Sequence, residues 1–128
     1  MDESRAIRQR VLVVDDSKVI RALLKDELEA KGYEVDGAED GMAGLQKATS
    51  AHFDLIVIDA TMPGIDGFEV CRRLAETRRE GRPLLVMHTN RFKDFQGRQQ
   101  AEKSGADAFV VKVVDGSLLV QKVTELLK

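Results

Sequence analysis

Three aspartates and one lysine stand at the ends of apolar runs. Asp15 and Asp16 close Val11-Leu12-Val13-Val14, Asp59 closes Leu55-Ile56-Val57-Ile58, and Lys112 follows Phe109-Val110-Val111. Carboxylates gathered at one point repel. At 4 Å and an effective dielectric constant near 20, a like-charge pair costs about 4 kcal/mol. Such a group calls for a cation or for raised pKa values. Hard carboxylate oxygens suit a divalent cation, and an ammonium beside them suits a phosphoryl group. The chemistry open to these side chains is the holding of a divalent cation and a phosphoryl group, where positioning and charge neutralisation matter most.

Residues so distant in the chain meet only if the strand ends meet. Apolar runs of this length read as strands buried on both faces of a parallel sheet. In open α/β sheets the ligand site lies outside the carboxyl ends of the strands. The pattern predicts strands at Arg10–Val14, Glu34–Ala38, Leu55–Ile58, Leu84–Met87 and Ala108–Val111. Helices are expected between them. The first runs from Ser17 to Lys31, with Val19, Ile20, Leu23, Leu24 and Leu28 on one face, capped by Asp16 or Ser17 and ended by Gly32. The second spans Asp40-Gly41 to about Ser50, with Met42, Leu45 and Ala48 inward. The third runs from Phe68 to about Arg78, the fourth from Phe92 to Ser104, and the last from Ser117 to Leu127. Alternating β-α units predict a doubly wound α/β fold, a five-stranded parallel sheet covered by helices on both faces. The polar residues 1–9 are expected to form a flexible extension, leaving 10–128 as one domain.

Composition agrees with one domain and narrows the partners. The chain has 128 residues, within the range of a single core. Its net charge of −2 gives no basic field to attract nucleic acid. No apolar stretch approaches the ~20 residues that span a bilayer, and the start has no apolar h-region, so neither membrane insertion nor a signal peptide is expected. A single cysteine, Cys71, forms no internal disulfide, which fits a cytoplasmic setting.

Read together, Val11-Leu12-Val13-Val14-Asp15-Asp16-Ser17, Asp59-Ala60-Thr61-Met62-Pro63-Gly64-Ile65-Asp66-Gly67 and the late Lys112 resemble the response-regulator receiver domain (CheY-like) of two-component signalling. The resemblance covers about Arg10 to Leu127. It implies a sheet in order 2-1-3-4-5 with five helices. It implies that Asp59 accepts a phosphoryl group from a histidine kinase or phosphotransfer protein. It further implies that Mg2+ binds Asp16 and Asp59 directly, Asp15 largely through water, and the backbone carbonyl of Thr61. Lys112 would hold the phosphoryl oxygens; the alternative is a structural salt bridge to one of the aspartates, and the two roles could alternate, with Lys112 pairing Asp59 before phosphorylation. A hydroxyl at the end of the fourth strand would then swing toward the phosphoryl group, an aromatic on the fifth strand, here Phe109, would respond, and the surface of the fourth helix, fifth strand and fifth helix would change for an unknown output protein or domain.

Two departures from the family pattern carry expectations of their own. The fourth strand ends Val86-Met87-His88-Thr89-Asn90. Counting from Pro83 puts His88 in the hydroxyl position; counting from Asp59 puts Thr89 there, the preferred assignment, with Asn90 restricting attacking water. Lys112 is followed by Val113 where the family has a cis proline. A non-proline cis bond costs ~2.5–4 kcal/mol, so a trans bond and a rearranged loop are expected.

Other polar residues read more plainly. Asp26, Asp36 and Asp54 are expected to be solvated charges, and Asp40 and Asp66 turn or cap residues. His52 should sit in the loop before the third strand and Cys71 in the core. Arg72-Arg73 and Arg78-Arg79 should form a solvated face opposing Glu76 and Glu80. A receiver-like interaction module working without phosphorylation is the alternative function. A phosphatase of the haloacid dehalogenase type would want an acid where Thr61 stands. No DNA-binding segment follows Lys128, so no nucleic acid is expected to bind this chain alone.

Overall fold

The computed structural model describes residues 8–77, 81–89, 99–100, 102–113 and 115–128. Among these residues five parallel strands form one sheet: β1 (Arg10–Val14), β2 (Glu34–Ala38), β3 (Leu55–Asp59), β4 (Leu84–Thr89) and β5 (Ala108–Val111), in order β2-β1-β3-β4-β5. Helices α1 (Lys18–Ala30), α2 (Gly41–Ser50) and α3 (Gly67–Glu76) connect successive strands from β1 to β4, and α4 (Ser117–Leu126) follows β5. Of the helix expected at Phe92–Ser104, residues 99–100 and 102–103 are helical; 92–98 and 101 lie outside the described residues, as do 1–7 of the expected extension.

Local chemistry sets the element ends. Ser17 Oγ accepts from Ile20 N and starts α1. Asp40 Oδ1 accepts from Ala43 N, and Asp66 Oδ1 from Glu69 N, so both act as the caps expected. Gly32 follows α1 at φ +99°, a left-handed turn in which its N–H reaches Glu29 O.

Alternation along the strands makes two core layers. One contains Leu12, Val14, Ile56, Ile58, Leu85 and Met87 with Phe68, Cys71 and Leu74 of α3. The other contains Val11, Val13, Leu55, Val57, Val86 and Val110 with Leu24 and Leu28 of α1 and Leu119 and Val123 of α4. The central strands β1 and β3 are buried along almost their whole length, as their apolar runs require.

Three expectations about burial fail. Val19 is 77% exposed, not on the buried face of α1, and Met42 is 59% exposed, not inward. A single apolar residue beside a helix start satisfies the spacing without facing the sheet. Strand β5 is not buried on both faces: Phe109 and Val111 are exposed, on what is an edge strand among the described residues. Strand β4 also runs two residues beyond Met87, through His88 and Thr89.

Candidate functional site

The carboxyl ends of β1 and β3 lie side by side, with Val14 opposite Ile58. That register brings Asp15 and Asp59 together. Asp15 is held by its own N–H to Ala38 O at 3.1 Å, and its Oδ1 accepts from Ser17 N at 2.9 Å. Arg21, which the sequence reading passed over, donates from Nη1 to Asp15 O at 2.7 Å and ties α1 to this loop. Asp59 Oδ1 accepts from Thr61 N at 3.1 Å. Asp15 and Asp59 are buried and Asp16 is exposed. One carboxylate oxygen from each lies within 4.8 Å of the others.

Lys112 reaches this point from the end of β5. Its backbone N–H donates to Thr89 O at 3.2 Å, which fixes it beside β4. Its Nζ lies 3.0 Å from Asp15 Oδ2 and 3.2 Å from Asp59 Oδ2. Lysine thus pairs both buried aspartates at once. The expected trans geometry holds: among the described residues no peptide bond is cis.

Electrostatics follow from this burial. Desolvation raises the Asp59 pKa above its ordinary value; the Thr61 N–H works against it, Asp15 adds repulsion and Lys112 again opposes. Burial works against the Lys112 ammonium too, but the bonds to Asp15 and Asp59 outweigh it and raise its pKa. The donor set fits Mg2+ chemically. All three candidate ligands are hard oxygens, and one is exposed to water. A spread of up to 4.8 Å slightly exceeds the ~4.2 Å across an Mg2+ ion with bonds of 2.0–2.1 Å, so part of the set is suited to act through water, which Mg2+ retains readily.

Behind the carboxylates, α3 begins unusually close to β3. A Cβ on Gly67 would lie 1.9 Å from Asp59 O. Only glycine lets the two backbones approach so closely. Its appearance after Asp66 in the sequence looked like turn chemistry alone, so the spacing gave no signal of this contact.

The other expected site residues are placed as follows. Thr61, exposed, follows Asp59 with only Ala60 between. Thr89, 1% exposed, ends β4 opposite Val111. Phe109 lies opposite Met87 on β5. His88, 5% exposed, lies opposite both Asp59 and Val110. Its Nδ1 is buried and has no hydrogen-bond partner among the described residues. Desolvation, with Lys112 nearby, lowers its pKa to about 4. Asn90 lies outside the described residues.

Away from the site, Cys71 is buried, and His52 precedes β3 with Nε2 3.1 Å from Asp54 Oδ1. Asp36 and Asp54 are not merely solvated. Asp36 pairs Lys47 at 3.0 Å, and Asp54 Oδ2 accepts from Arg10 N at 2.8 Å. Arg72 and Arg73 are exposed and pair Glu69 one turn earlier, and Glu76 adds a charge attraction to Arg72 as expected. Arg78, Arg79 and Glu80 lie outside the described residues. No helix among the described residues is long and apolar enough to cross a membrane.

Comparison with known proteins returns the same picture. ResD of Bacillus subtilis, a transcriptional regulatory protein, is 36% identical over 119 residues, covering 93% of this chain and 48% of ResD. The chain spans about half the length of the curated relatives it matches. The chemotaxis protein CheY4 of Vibrio cholerae superposes with a TM-score of 0.84 at 31% identity, over 93% of this chain and 98% of CheY4. The response regulator TrrA of Thermotoga maritima, solved with Mg(2+)-BeF, gives 0.81 at 36% identity, over 92% and 98% of the two chains. TrrA has also been solved in complex with the histidine kinase ThkA. The family model described as the response regulator receiver domain matches residues 11–124, and with strand order, acidic rim and relatives in accord, this chain belongs to that family.

Proposed function

We propose that Asp59 accepts a phosphoryl group from a phosphohistidine of a kinase or phosphotransfer protein, with Mg2+ bound by Asp16, Asp59 and the Thr61 carbonyl and reached through water by Asp15. The observation that carries this reading is Lys112 Nζ, placed within 3.2 Å of both buried aspartates. Bound Mg2+ would supply positive charge to phosphoryl oxygens and relieve carboxylate repulsion. A carboxylate oxygen of Asp59 attacks phosphorus, the phosphorus–nitrogen bond of the donor breaks, and its electron pair returns to the imidazole, which takes up a proton. Lys112 follows the new negative oxygens as a flexible point charge. Thr89, at the end of β4, supplies the hydroxyl that meets them, and Phe109 lies on the same face of the adjacent strand. Hydrolysis of the acyl phosphate later returns the carboxylate, self-dephosphorylation rather than turnover of an outside substrate.

The output surface follows from the exposed apolar edge. Phe109, Val111, Val113 and Leu118 are each between 38% and 46% exposed. A change at Thr89 and Phe109 reaches this edge directly, so an output protein or domain is proposed to dock there. The domain is taken as 10–128, working in the cytoplasm. A module acting without phosphorylation would have no need to bury two aspartates that Lys112 must then compensate. The test is incubation with a small-molecule phosphodonor and Mg2+, read by intact mass. Gain of one acid-labile phosphoryl group is expected, absent in Asp59→Asn; no gain in the wild-type chain would overturn the reading.

A further inference from the structure

His88 occupies a place where an apolar residue would serve the fold better. It is Asp59's partner across β3–β4 and Val110's across β4–β5. Partner residues on parallel strands share a face of the sheet. His88 therefore stands beside Asp59 over the layer of Val57, Val86 and Val110 that α1 and α4 cover. Thr89, the next residue, faces the opposite layer.

The imidazole is 5% exposed and its buried Nδ1 has no partner among the described residues. Buried polar atoms without partners are rare in native proteins and carry the full desolvation penalty. Leucine or methionine would fill the volume without that penalty. An unmet group next to a reaction centre is explained if a second state meets it.

We propose that His88 is a positioning residue of this site: when a phosphoryl group on Asp59 draws Lys112 outward, a ring N–H of His88 takes over a carboxyl oxygen that Lys112 had held. In the resting chain that oxygen, Oδ2 of Asp59, is occupied by Nζ at 3.2 Å. Phosphorylation places the new charge farther from the backbone, and the lysine stem is long enough to follow it. The vacated oxygen then lies beside the strand partner of Asp59. The ring is neutral at physiological pH, so it can donate without adding a second cation beside Lys112. Phosphorylation would thus act on both faces of the sheet: Thr89 and Phe109 on one, His88 toward α1 and α4 on the other. This inference rests on the phosphoacceptor reading of Asp59.

The test uses Mg2+ with beryllofluoride as the phosphoryl mimic. Nitrogen-15 spectra of the imidazoles follow His88 directly, with exposed His52 as internal reference. At saturation a His88 ring nitrogen is expected to move to a hydrogen-bonded position and its proton to become protected from exchange. By calorimetry His88→Leu is expected to bind the adduct about fivefold more weakly, the loss of one hydrogen bond to a neutral carbonyl oxygen, while His88→Asn, which keeps an N–H donor, recovers most of the affinity. Unmoved His88 nitrogens at saturation, or His88→Leu binding within about twofold of wild type, would overturn the inference while leaving Asp59 as the acceptor. Should His88→Leu fail to fold, the wild-type spectra still decide. If the wild-type chain takes up no adduct at all, the phosphoacceptor reading and this inference fall together.

Discussion

Replacing Asp59 with asparagine should stabilise the metal-free chain and remove the stabilisation that Mg2+ gives. The Asp59 carboxylate is 5% exposed and has an oxygen of Asp15 and of Asp16 within 4.8 Å. At that distance and an effective dielectric constant of 20, each repulsion is at least about 3.5 kcal/mol. Asp16 is exposed, and water screens its share to about half or less. The opposing attraction, to Lys112 Nζ at 3.2 Å, is about 5 kcal/mol on the same scale. These nearly cancel, so the cost of burying the charge, the largest influence on this group, decides the sign. Because burial raises its pKa, the folded chain binds the proton more tightly than the unfolded chain does. That contribution is fully present below the unfolded value near 3.8 and is lost as pH rises through the raised folded value. At neutral pH in EDTA, urea unfolding should show Asp59→Asn more stable by about 1–2 kcal/mol, with the difference shrinking as pH falls through the raised folded value of Asp59 toward the unfolded one. With Mg2+ at roughly 100 times its Kd, the wild-type chain should gain about 2.7 kcal/mol and the variant well under 1 kcal/mol. A variant destabilised by more than about 1 kcal/mol in EDTA, or stabilised by Mg2+ as much as the wild type, would refute the electrostatic account.

Lys112→Met should cost about 3–5 kcal/mol in EDTA, since it strands two buried carboxylates, with part of the loss returned by Mg2+; a urea midpoint close to wild type would show that the pairing is idle. Gly67→Ala should cost at least about 1–3 kcal/mol and slow phosphoryl uptake by displacing the Asp59 carbonyl, and unchanged stability with unchanged uptake would contradict the close backbone approach. Asp40→Ala should lower stability by about 1 kcal/mol through loss of the α2 cap, without affecting Mg2+ binding. In EDTA, burial of His88 as a neutral ring should cost the wild-type chain up to about 3 kcal/mol as pH falls from its ordinary 6.5 through about 4, partly offset by Asp59 in the acid range; His88→Leu should lack this loss, and parallel pH–stability curves for the two chains would count against it.

Much of this site was legible because its parts terminate the most readable segments. Val11–Val14 and Leu55–Ile58 are central strands, so an apolar run and its closing aspartate gave both element and position. The caps Asp40 and Asp66 were legible for a similar reason, since local hydrogen bonding decides them. Edge and interior cannot be told apart by apolar count, which is why Phe109 and Val111 were expected to be buried on a strand that has only one neighbour. Val19 and Met42 failed because one helical residue at the margin of a stripe can turn either way. The close approach at Gly67 and the unmet nitrogen of His88 are properties of tertiary contact, and neither leaves a periodic trace in the chain.

Lys112 and Asp15 are separated by 97 positions, yet their side chains meet at 3.0 Å. During synthesis the aspartates therefore emerge long before their lysine counterpart, and a nascent chain holds an incomplete acceptor until its final strand docks. Neutralisation of the two buried carboxylates is in this way tied to completion of the fold. A chain that loses its last strand loses the counter-ion of both buried aspartates at the same moment, so the charge balance of the rim depends on the integrity of the whole sheet.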